Sequence, residues 1–198
     1  VKLIRNHAES VVRSNNKNDL SNMIGNNFRL GEIESAIGIE QLKKLKKEFI
    51  KKQKIAKLLS EGLAKIPGII LPKTVSGYTH SYYVYGINLD LKFLKHTRDH
   101  IIKKLRSKGV PGMGSGYTCL HLLPMFQKKI AYGHNGFPWN SDIYNGNVSY
   151  SKGICPNAEY FHTKSFISFA ICLYDLNIND VNFIINSFKK VWKELKIN

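Results

Sequence analysis

The stretch GNNFRLGEIESAIGIEQLKKL (25–45) begins as a polar turn and continues as the start of a long helix. From Leu30 onward, apolar residues return at steps of three and four, as they do along one face of an α-helix. The pattern continues to Ile66, and Pro67-Gly68 is a pair that ends helices. The sequence therefore predicts a helix of about thirty residues over 31–66, or two helices with a break.

Shorter elements follow this helix. Segments rich in β-branched and aromatic residues predict three strands: GIILP (68–72), HSYYVYGINLD (80–90) and SFISFAICL (165–173). Helical periodicity predicts two further helices: LKHTRDHIIKKLRSKG (94–109), which ends at a glycine, and NINDVNFIINSFKKVWKELK (177–196), with Asn177 or Asn179 as its N-cap. These elements predict an α/β chain in which a small α+β sandwich of sheet and helices is carried on one long connecting helix.

Length and composition exclude some classes of protein. The chain has 198 residues and is 43% hydrophobic, which is enough to bury a core. It contains no run of about 18 apolar residues, so no membrane-spanning helix is expected. The first residues, VKLIRNHAESVV, lack an initiator methionine and the apolar segment of a signal peptide. We therefore expect the sequence to begin inside a larger protein.

The formal net charge of +16 raises the question of nucleic-acid binding. Of the 30 basic residues only 5 are arginines, the residue type that makes bidentate contacts with phosphates and bases. A lysine-rich chain of this kind favours a heavily solvated surface, so we expect no nucleic-acid partner.

Three cysteines, Cys119, Cys155 and Cys172, are odd in number and widely spaced. Neither a disulfide framework nor a paired metal site follows from this spacing. We expect small buried hydrophobic residues in a reducing, cytoplasmic compartment.

Asn27 and Arg29 are the first candidate site residues. A helix N-terminus has unpaired backbone N–H groups and the positive end of the helix dipole, so an amide and a guanidinium beside it could complete a phosphate or carboxylate site. In the alternative, Asn27 closes the turn and Arg29 pairs with Glu32 or Glu34. The residues themselves leave both interpretations open.

Other candidates are weaker. His96 and His100 are four residues apart, but Thr97 stands where a zinc protease has its glutamate, so we expect no metal site. GMGSG (112–116) lacks the dinucleotide spacing and predicts a flexible loop near a ligand. Tyr117, His121 and His7 could hydrogen-bond to a substrate or could be partly buried and satisfied. No nucleophile–base arrangement or carboxylate pair is evident.

Five segments, in this order, resemble elements of the DegT/DnrJ/EryC1/StrS family of nucleotide-sugar aminotransferases: KLIRNHA (2–8), GNNFRLGEIESAIGIEQLKKL (25–45), GYTCLHLLPMF (116–126), CPNAEYFHTKSFISF (155–169) and DVNFIINSFKKVW (180–192). The second is the most specific match, with eight positions in place: Gly25, Asn27, Arg29, Glu32, Ala36, Gly38, Gln41 and Leu42. The fourth is similar to the family's Pro-x-Ala-Glu element.

The resemblance implies the C-terminal part of a fold-type I aminotransferase that depends on pyridoxal 5′-phosphate (PLP). It implies three regions: 1–30 as the end of the large PLP domain with an interface loop, 31–66 as the connecting helix, and 67–198 as the small domain. The cofactor lysine of such enzymes precedes the first of these elements, which places it before Val1. This chain alone would then be inactive.

The family's active site is shared across a homodimer. The resemblance therefore assigns Asn27 and Arg29 to the cofactor phosphate of the neighbouring subunit, and His121, Tyr117 and His7 to the substrate side. The implied reaction moves an amino group from an amino acid, usually glutamate, to a keto-sugar nucleotide. Two alternatives remain: a split or degenerate binding or dimerisation module, and the related sugar dehydratase, in which a histidine replaces the lysine.

Overall fold

The computed structural model describes Arg5 and residues 25–197. Within 25–197 the helices are α1 (Glu32–Leu63), α2 (Arg98–Ser107), α3 (Pro124–Lys128), α4 (Pro156–Tyr160) and α5 (Ile178–Glu194). The strands are β1 (Ile69–Ile70), β2 (Tyr85–Leu89), β3 (Met113–Gly114) and β4 (Phe166–Phe169). Contacts divide the chain into two compact units, Val1–Glu48 and Phe49–Asn198.

Helix α1 is one continuous helix of 32 residues, as the first of the two sequence alternatives predicts. Its buried residues all lie in the second half: Ile55, Ala56, Leu59 and Leu63. Gly62 lets α1 approach α5 closely, because a Cβ atom at this position would lie 2.1 Å from the side chain of Ile185. The absence of a side chain at Gly62 therefore sets the spacing of two core helices.

The four strands form one antiparallel sheet in the order β1-β2-β4-β3. In the central pair, Tyr85 lies opposite Phe169 and Ile87 lies opposite Ile167. Because side chains alternate between the faces of a strand, these four point to the same face, and all are buried. One face of the sheet thus builds the core, and the other carries Gly86, Asn88, Phe166 and Ser168, which are only partly buried.

Helices α2 and α5 and the second half of α1 pack in the same core as this face of the sheet. The residues that they contribute include Leu59, Ile101, Leu105, Ile184, Phe188 and Val191. This arrangement of helices and sheet confirms the α+β sandwich predicted for this part of the chain.

The N-terminus of α5 agrees with the sequence prediction, whereas that of α2 does not. Asn177 caps α5 through a capping box, in which its side chain accepts from the backbone of Asp180 and the Asp180 carboxylate accepts from the backbone of Asn177. Helix α2 begins at Arg98, four residues after the predicted start, because Thr97 is its N-cap. His96 therefore lies outside the helix, and the expectation that His96 and His100 share a helix is wrong.

The strands are shorter than predicted. The first five residues of the segment 80–90 are not in β2, because Tyr82 has a positive φ of 52° and its N–H donates to Nδ1 of His80 at 2.8 Å. After β4 the chain turns into a 3₁₀-helix, Ile171–Leu173, instead of continuing as a strand. Among the described residues, no helix is long and apolar enough to cross a membrane.

Tyr85 makes the stability of this core depend on pH. Its hydroxyl lies 2.7 Å from that of Ser60, and burial raises the pKa of Tyr85 to about 12, against an ordinary value of 10.0. The unfolded chain therefore ionises this group first as the pH rises. Below pH 10, we expect the protonated hydroxyl of Tyr85 to contribute fully to the free energy of unfolding. This free energy should fall by about 3 kcal/mol as the pH rises through about 12.

Urea unfolding of the wild type and Tyr85→Phe between pH 8 and pH 11.5 measures this contribution. The variant should lose less stability than the wild type over this range, because phenylalanine does not ionise. Parallel curves for the two proteins would contradict the role of Tyr85.

Candidate functional site

Asn27 and Arg29 lie side by side in the turn before α1. The Nε–H of Arg29 donates to Oδ1 of Asn27 at 3.1 Å, and the backbone N–H of Arg29 is 3.4 Å from the same oxygen. Since Oδ1 is used as the acceptor, the amide N–H groups of Asn27 point away from Arg29. Both side chains are exposed. The pair therefore offers amide and guanidinium donors to a group outside this turn.

The alternative partners of Arg29 are not engaged. Within residues 25–197, neither Glu32 nor Glu34 forms an ion pair with Arg29. Oε2 of Glu34 instead lies over Gly31, where a Cβ atom would be 2.3 Å from it. The guanidinium thus has no carboxylate partner among the described residues, although two acidic side chains occupy the first turn of the helix.

His121 lies in the 3₁₀-helix Leu120–Leu122, and its Nε2 is 2.9 Å from Oε1 of Glu159. Each of these two side chains is only 10% exposed. The same carboxylate oxygen accepts from the backbone N–H of Gly153 at 2.7 Å and lies 3.4 Å from that of Cys155. His121 is therefore held by a carboxylate that also fixes the loop before α4.

Glu159 remains ionised because of these contacts. The hydrogen bond from Gly153 contributes most to lowering its pKa below the ordinary value of 4.5, burial opposes it, and His121 and Cys155 lower it further. Glu159 is not among the site residues that the sequence predicted. The available signal was its place in the Pro-x-Ala-Glu element (156–159), which does not reveal the contact with His121.

Tyr117 lies across from Tyr83, with 3.3 Å between their hydroxyl oxygens. Both rings are exposed, at 81% and 62%. This hydrogen bond is the main cause of the raised pKa of Tyr83. The two phenols form one side of an opening on the sheet face opposite the core.

Behind this opening is a cavity of about 710 Å³. Its lining contains no Lys, Arg, Asp or Glu: Tyr83, Val84, Asn88, Ser115, Gly116, Tyr117, Ala158, Phe161, His162, Phe166, Ser168, Ala170, Cys172 and Leu173. Gly116 has a φ of +78°, and a Cβ atom there would be 3.1 Å from the Phe166 ring. This glycine lets the turn before Tyr117 approach the aromatic wall.

Two polar atoms of the cavity-lining residues are buried without a hydrogen-bond partner among the described residues: Oδ1 of Asn88 and Nδ1 of His162. Asn88 lies opposite Phe166 in the sheet, and His162 lies in the π-helical turn Phe161–Ser165 that precedes β4. π-Helical turns occur frequently at functional sites, and buried polar atoms are usually paired. Two residues of the cavity wall thus each contain a buried polar atom that is not paired within the described part of the chain.

The structure places the expected site residues in separate groups. Asn27 and Arg29 contact each other and belong to the unit Val1–Glu48, whereas Tyr117 and His121 belong to the unit Phe49–Asn198. Tyr117 lines the cavity, and His121 is bonded to Glu159, the neighbour of the cavity-lining Ala158. His7 lies outside the described residues.

Residues considered for metal binding have structural contacts. Nε2 of His96 lies 3.0 Å from the carbonyl oxygen of Leu195, and its ring stacks on His100. In the described part of the chain no three His, Cys, Asp or Glu side chains could together hold a metal ion. The expected flexible loop at 112–116 is in part strand β3.

The three cysteines are free. Cys119 is buried and Cys172 is partly buried. Cys155 is exposed, so the expectation that it is a buried hydrophobic residue is wrong.

A sheet with helices on one face, carried on a long helix that follows an Asn–Arg turn, is the arrangement expected of an aminotransferase small domain. Residues 1–153 match the model of the DegT/DnrJ/EryC1/StrS aminotransferase family. The chain belongs to this family. Enzymes of the family depend on PLP.

Several curated proteins are similar in sequence to this chain. The chain is 25% identical over 171 residues to an uncharacterised protein of Methanocaldococcus jannaschii, covering 86% of the chain and 39% of that protein. It is 26% identical over 125 residues to the spore coat polysaccharide biosynthesis protein SpsC of Bacillus subtilis, covering 63% of the chain and 32% of SpsC. It is 30% identical over 105 residues to GDP-perosamine synthase of Vibrio cholerae, covering 53% of the chain and 28% of the synthase.

Solved structures establish the fold. DesV of S. venezuelae, solved in complex with a ketimine intermediate, is 19% identical, with a TM-score of 0.66 over 96% of this chain and 42% of DesV. A 3-amino-5-hydroxybenzoic acid synthase is 15% identical, with a TM-score of 0.64 over 98% of this chain and 46% of the synthase. The fold is that of the C-terminal part of a fold-type I PLP aminotransferase, and the chain spans under half of each of these relatives.

Proposed function

We propose that this chain supplies the connecting helix and small domain of a PLP enzyme that moves an amino group from an amino acid, usually glutamate, to a keto-sugar nucleotide. Membership of the family supports this proposal, and two relatives are named for nucleotide sugars: GDP-perosamine synthase and a dTDP-sugar 4-aminotransferase. The observation that carries it is the exposed Asn27–Arg29 pair immediately before α1. We expect a cytoplasmic enzyme of amino-sugar or polysaccharide biosynthesis.

The residues of this turn fit the phosphate of PLP. Phosphate oxygens accept hydrogen bonds from guanidinium and amide groups, and the Arg29–Asn27 contact leaves donors of both kinds facing outward. The backbone N–H groups at the start of α1 add further donors. When bound, PLP supplies the electron sink for amino-group transfer. Asn27 and Arg29 would hold its phosphate in place.

A second copy of the chain would complete this site. The first half of α1 has exposed apolar side chains that a solvated helix does not need: Ile33, Ile37, Leu42 and Leu45, each between 58% and 76% exposed. Exposed apolar patches of this kind mark protein–protein interfaces. We propose that this surface joins two subunits and that Asn27 and Arg29 reach the cofactor of the partner subunit.

The cavity and the loop at His121 would meet the sugar nucleotide. Aromatic walls and the absence of charged side chains suit an uncharged sugar ring, and Tyr117 would close over it. His121, and by the family resemblance His7, would face polar groups of the same substrate. The charged diphosphate would lie outside the cavity, because its lining has no lysine or arginine to pair with it.

The cofactor lysine is proposed to lie in a segment that precedes Val1 in the full-length enzyme. Under this proposal, the 198-residue chain binds substrate and partner but does not catalyse.

Incubation of the full-length enzyme with PLP, glutamate and a 4-keto-sugar nucleotide tests the proposal. We expect 2-oxoglutarate and an amino sugar in equal amounts, and no turnover from the 198-residue chain alone. Sedimentation of the same preparation should give a dimer. An enzyme that binds PLP but forms no 2-oxoglutarate from glutamate would contradict amino-group transfer.

A further inference from the structure

We propose that Glu159 is the positioning residue of His121: its carboxylate holds the imidazole with the proton on Nε2 and turns Nδ1 toward a substrate hydroxyl. The proposal rests on the substrate role of His121 proposed above and adds the identity of the recognised group.

The hydrogen bond between His121 and Glu159 runs from the imidazole to the carboxylate. An ionised carboxylate only accepts hydrogen bonds, so the ring nitrogen 2.9 Å from Oε1 of Glu159 must carry a proton. Glu159 is ionised because Gly153, His121 and Cys155 lower its pKa. With Nε2 protonated, a neutral imidazole has its lone pair on Nδ1.

The other ring nitrogen of His121, Nδ1, has no partner among the described residues and is not fully buried. Within residues 25–197 this atom has no hydrogen-bond partner, and it is not among the polar atoms buried without one. Nδ1 is therefore not fully buried, although the side chain as a whole is only 10% exposed. A lone pair in this position accepts from O–H groups, which sugars carry on most ring carbons.

The backbone at His121 is held by contacts other than those of its ring. Nε2 of Gln127 donates to the carbonyl oxygens of His121 at 2.6 Å and Tyr150 at 2.5 Å. Tyr150 packs with Phe126 and Trp139 in an aromatic cluster. The backbone at His121 therefore has its own support, and Glu159 acts on the orientation of the ring.

Nitrogen NMR of the intact protein with ¹⁵N-labelled histidine tests the tautomer directly. The chain has seven histidines, and His121→Gln assigns the signal of interest. At alkaline pH, we expect His121 to show a protonated Nε2 and a bare Nδ1. In Glu159→Leu, the population with a protonated Nδ1 should rise several-fold.

Glu159→Gln keeps an oxygen for the N–H groups of Gly153 and Cys155, removes the negative charge and replaces the other carboxylate oxygen with an NH2 group. Because charge-assisted hydrogen bonds are about twice as strong as neutral ones, the Nε2–H of His121 should exchange with water about 10-fold faster in this variant. Glu194→Gln is the matched control, since Glu194 is another ion-paired carboxylate whose pKa is lowered, by Lys108. It should leave the His121 signals unchanged.

A protonated Nδ1 in the wild type would overturn the proposal. Should Glu159→Leu fail to fold, an unchanged Nε2–H exchange rate in Glu159→Gln would overturn it equally. These measurements need no substrate, so their failure leaves the aminotransferase proposal intact. In the full-length enzyme, Glu159→Gln should raise KM for the sugar nucleotide up to about 10-fold, the effect of one hydrogen bond, with kcat little changed.

Discussion

Replacing Arg29 with alanine in the full-length enzyme is expected to weaken the binding of PLP by about 10- to 100-fold, the range of a hydrogen bond to a charged group. The guanidinium has no carboxylate partner among the described residues, so the loss is not offset by the release of an internal ion pair. Asn27→Ala removes a neutral donor and the acceptor of Arg29 Nε, and should weaken binding about 10-fold. Dialysis followed by PLP titration, monitored by absorbance, measures both effects.

Two further variants test whether a positive charge alone accounts for PLP binding. Arg29→Lys retains the charge but not the planar fork, and should recover only part of the affinity. Lys47→Ala removes an exposed positive charge about four turns further along α1 and should leave PLP binding unchanged. Equal PLP affinity in the wild type and Arg29→Ala would show that this turn does not hold the phosphate.

Helices of this chain were predictable because their signals are local. The capping box at Asn177 and Asp180 lies within four residues, and Gly109 follows the end of α2 as predicted. The start of α2 was predicted four residues too early, because the N-cap at Thr97 was not recognised. The long helix was predictable from its periodicity, but the sequence did not reveal which half is buried. Burial in the half after Phe49 depends on the sheet and on α5, which come much later in the chain.

Strand ends were less predictable because they depend on partners. The segment 80–90 has strand composition throughout, yet pairing covers only Tyr85–Leu89 because the hydrogen bond between Tyr82 and His80 forms a local turn. The two-residue strand at Met113 was interpreted as part of a flexible loop. Its pairing with Phe169 across 56 positions leaves no local signal.

In the candidate site, too, contacts between residues close in sequence were predictable and contacts between distant residues were not. Asn27 and Arg29 are two residues apart, and their relation to the helix start was evident from the sequence. The partner of His121 was not evident, because Glu159 lies 38 positions away and the Pro-x-Ala-Glu pattern does not say which residue the glutamate contacts. The cavity was unpredictable for the same reason, since β2, β4 and the turn before Tyr117 contribute to its walls together.

Phe188→Ala is expected to destabilise the unit Phe49–Asn198 by about 3–5 kcal/mol, the usual effect of removing a buried phenylalanine ring. Phe188 is 0% exposed and packs on Trp192 at a ring distance of 5.7 Å. Both rings lie on the inner face of α5, where the core of sheet and helices has no solvent to fill a cavity. At about 2–4 °C per kcal/mol for a chain of this size, Tm should fall by roughly 10 °C or more.

Phe183→Ala on the same helix is the matched control, because the substitution is identical and the ring is 49% exposed. It should cost about 1 kcal/mol or less, since little apolar area is removed from a buried environment. Thermal and urea unfolding of both variants measure the difference. Similar losses at the two positions would contradict the placement of α5 with Phe188 inside the core, and with it the sheet-and-helix arrangement that positions β4 and the cavity.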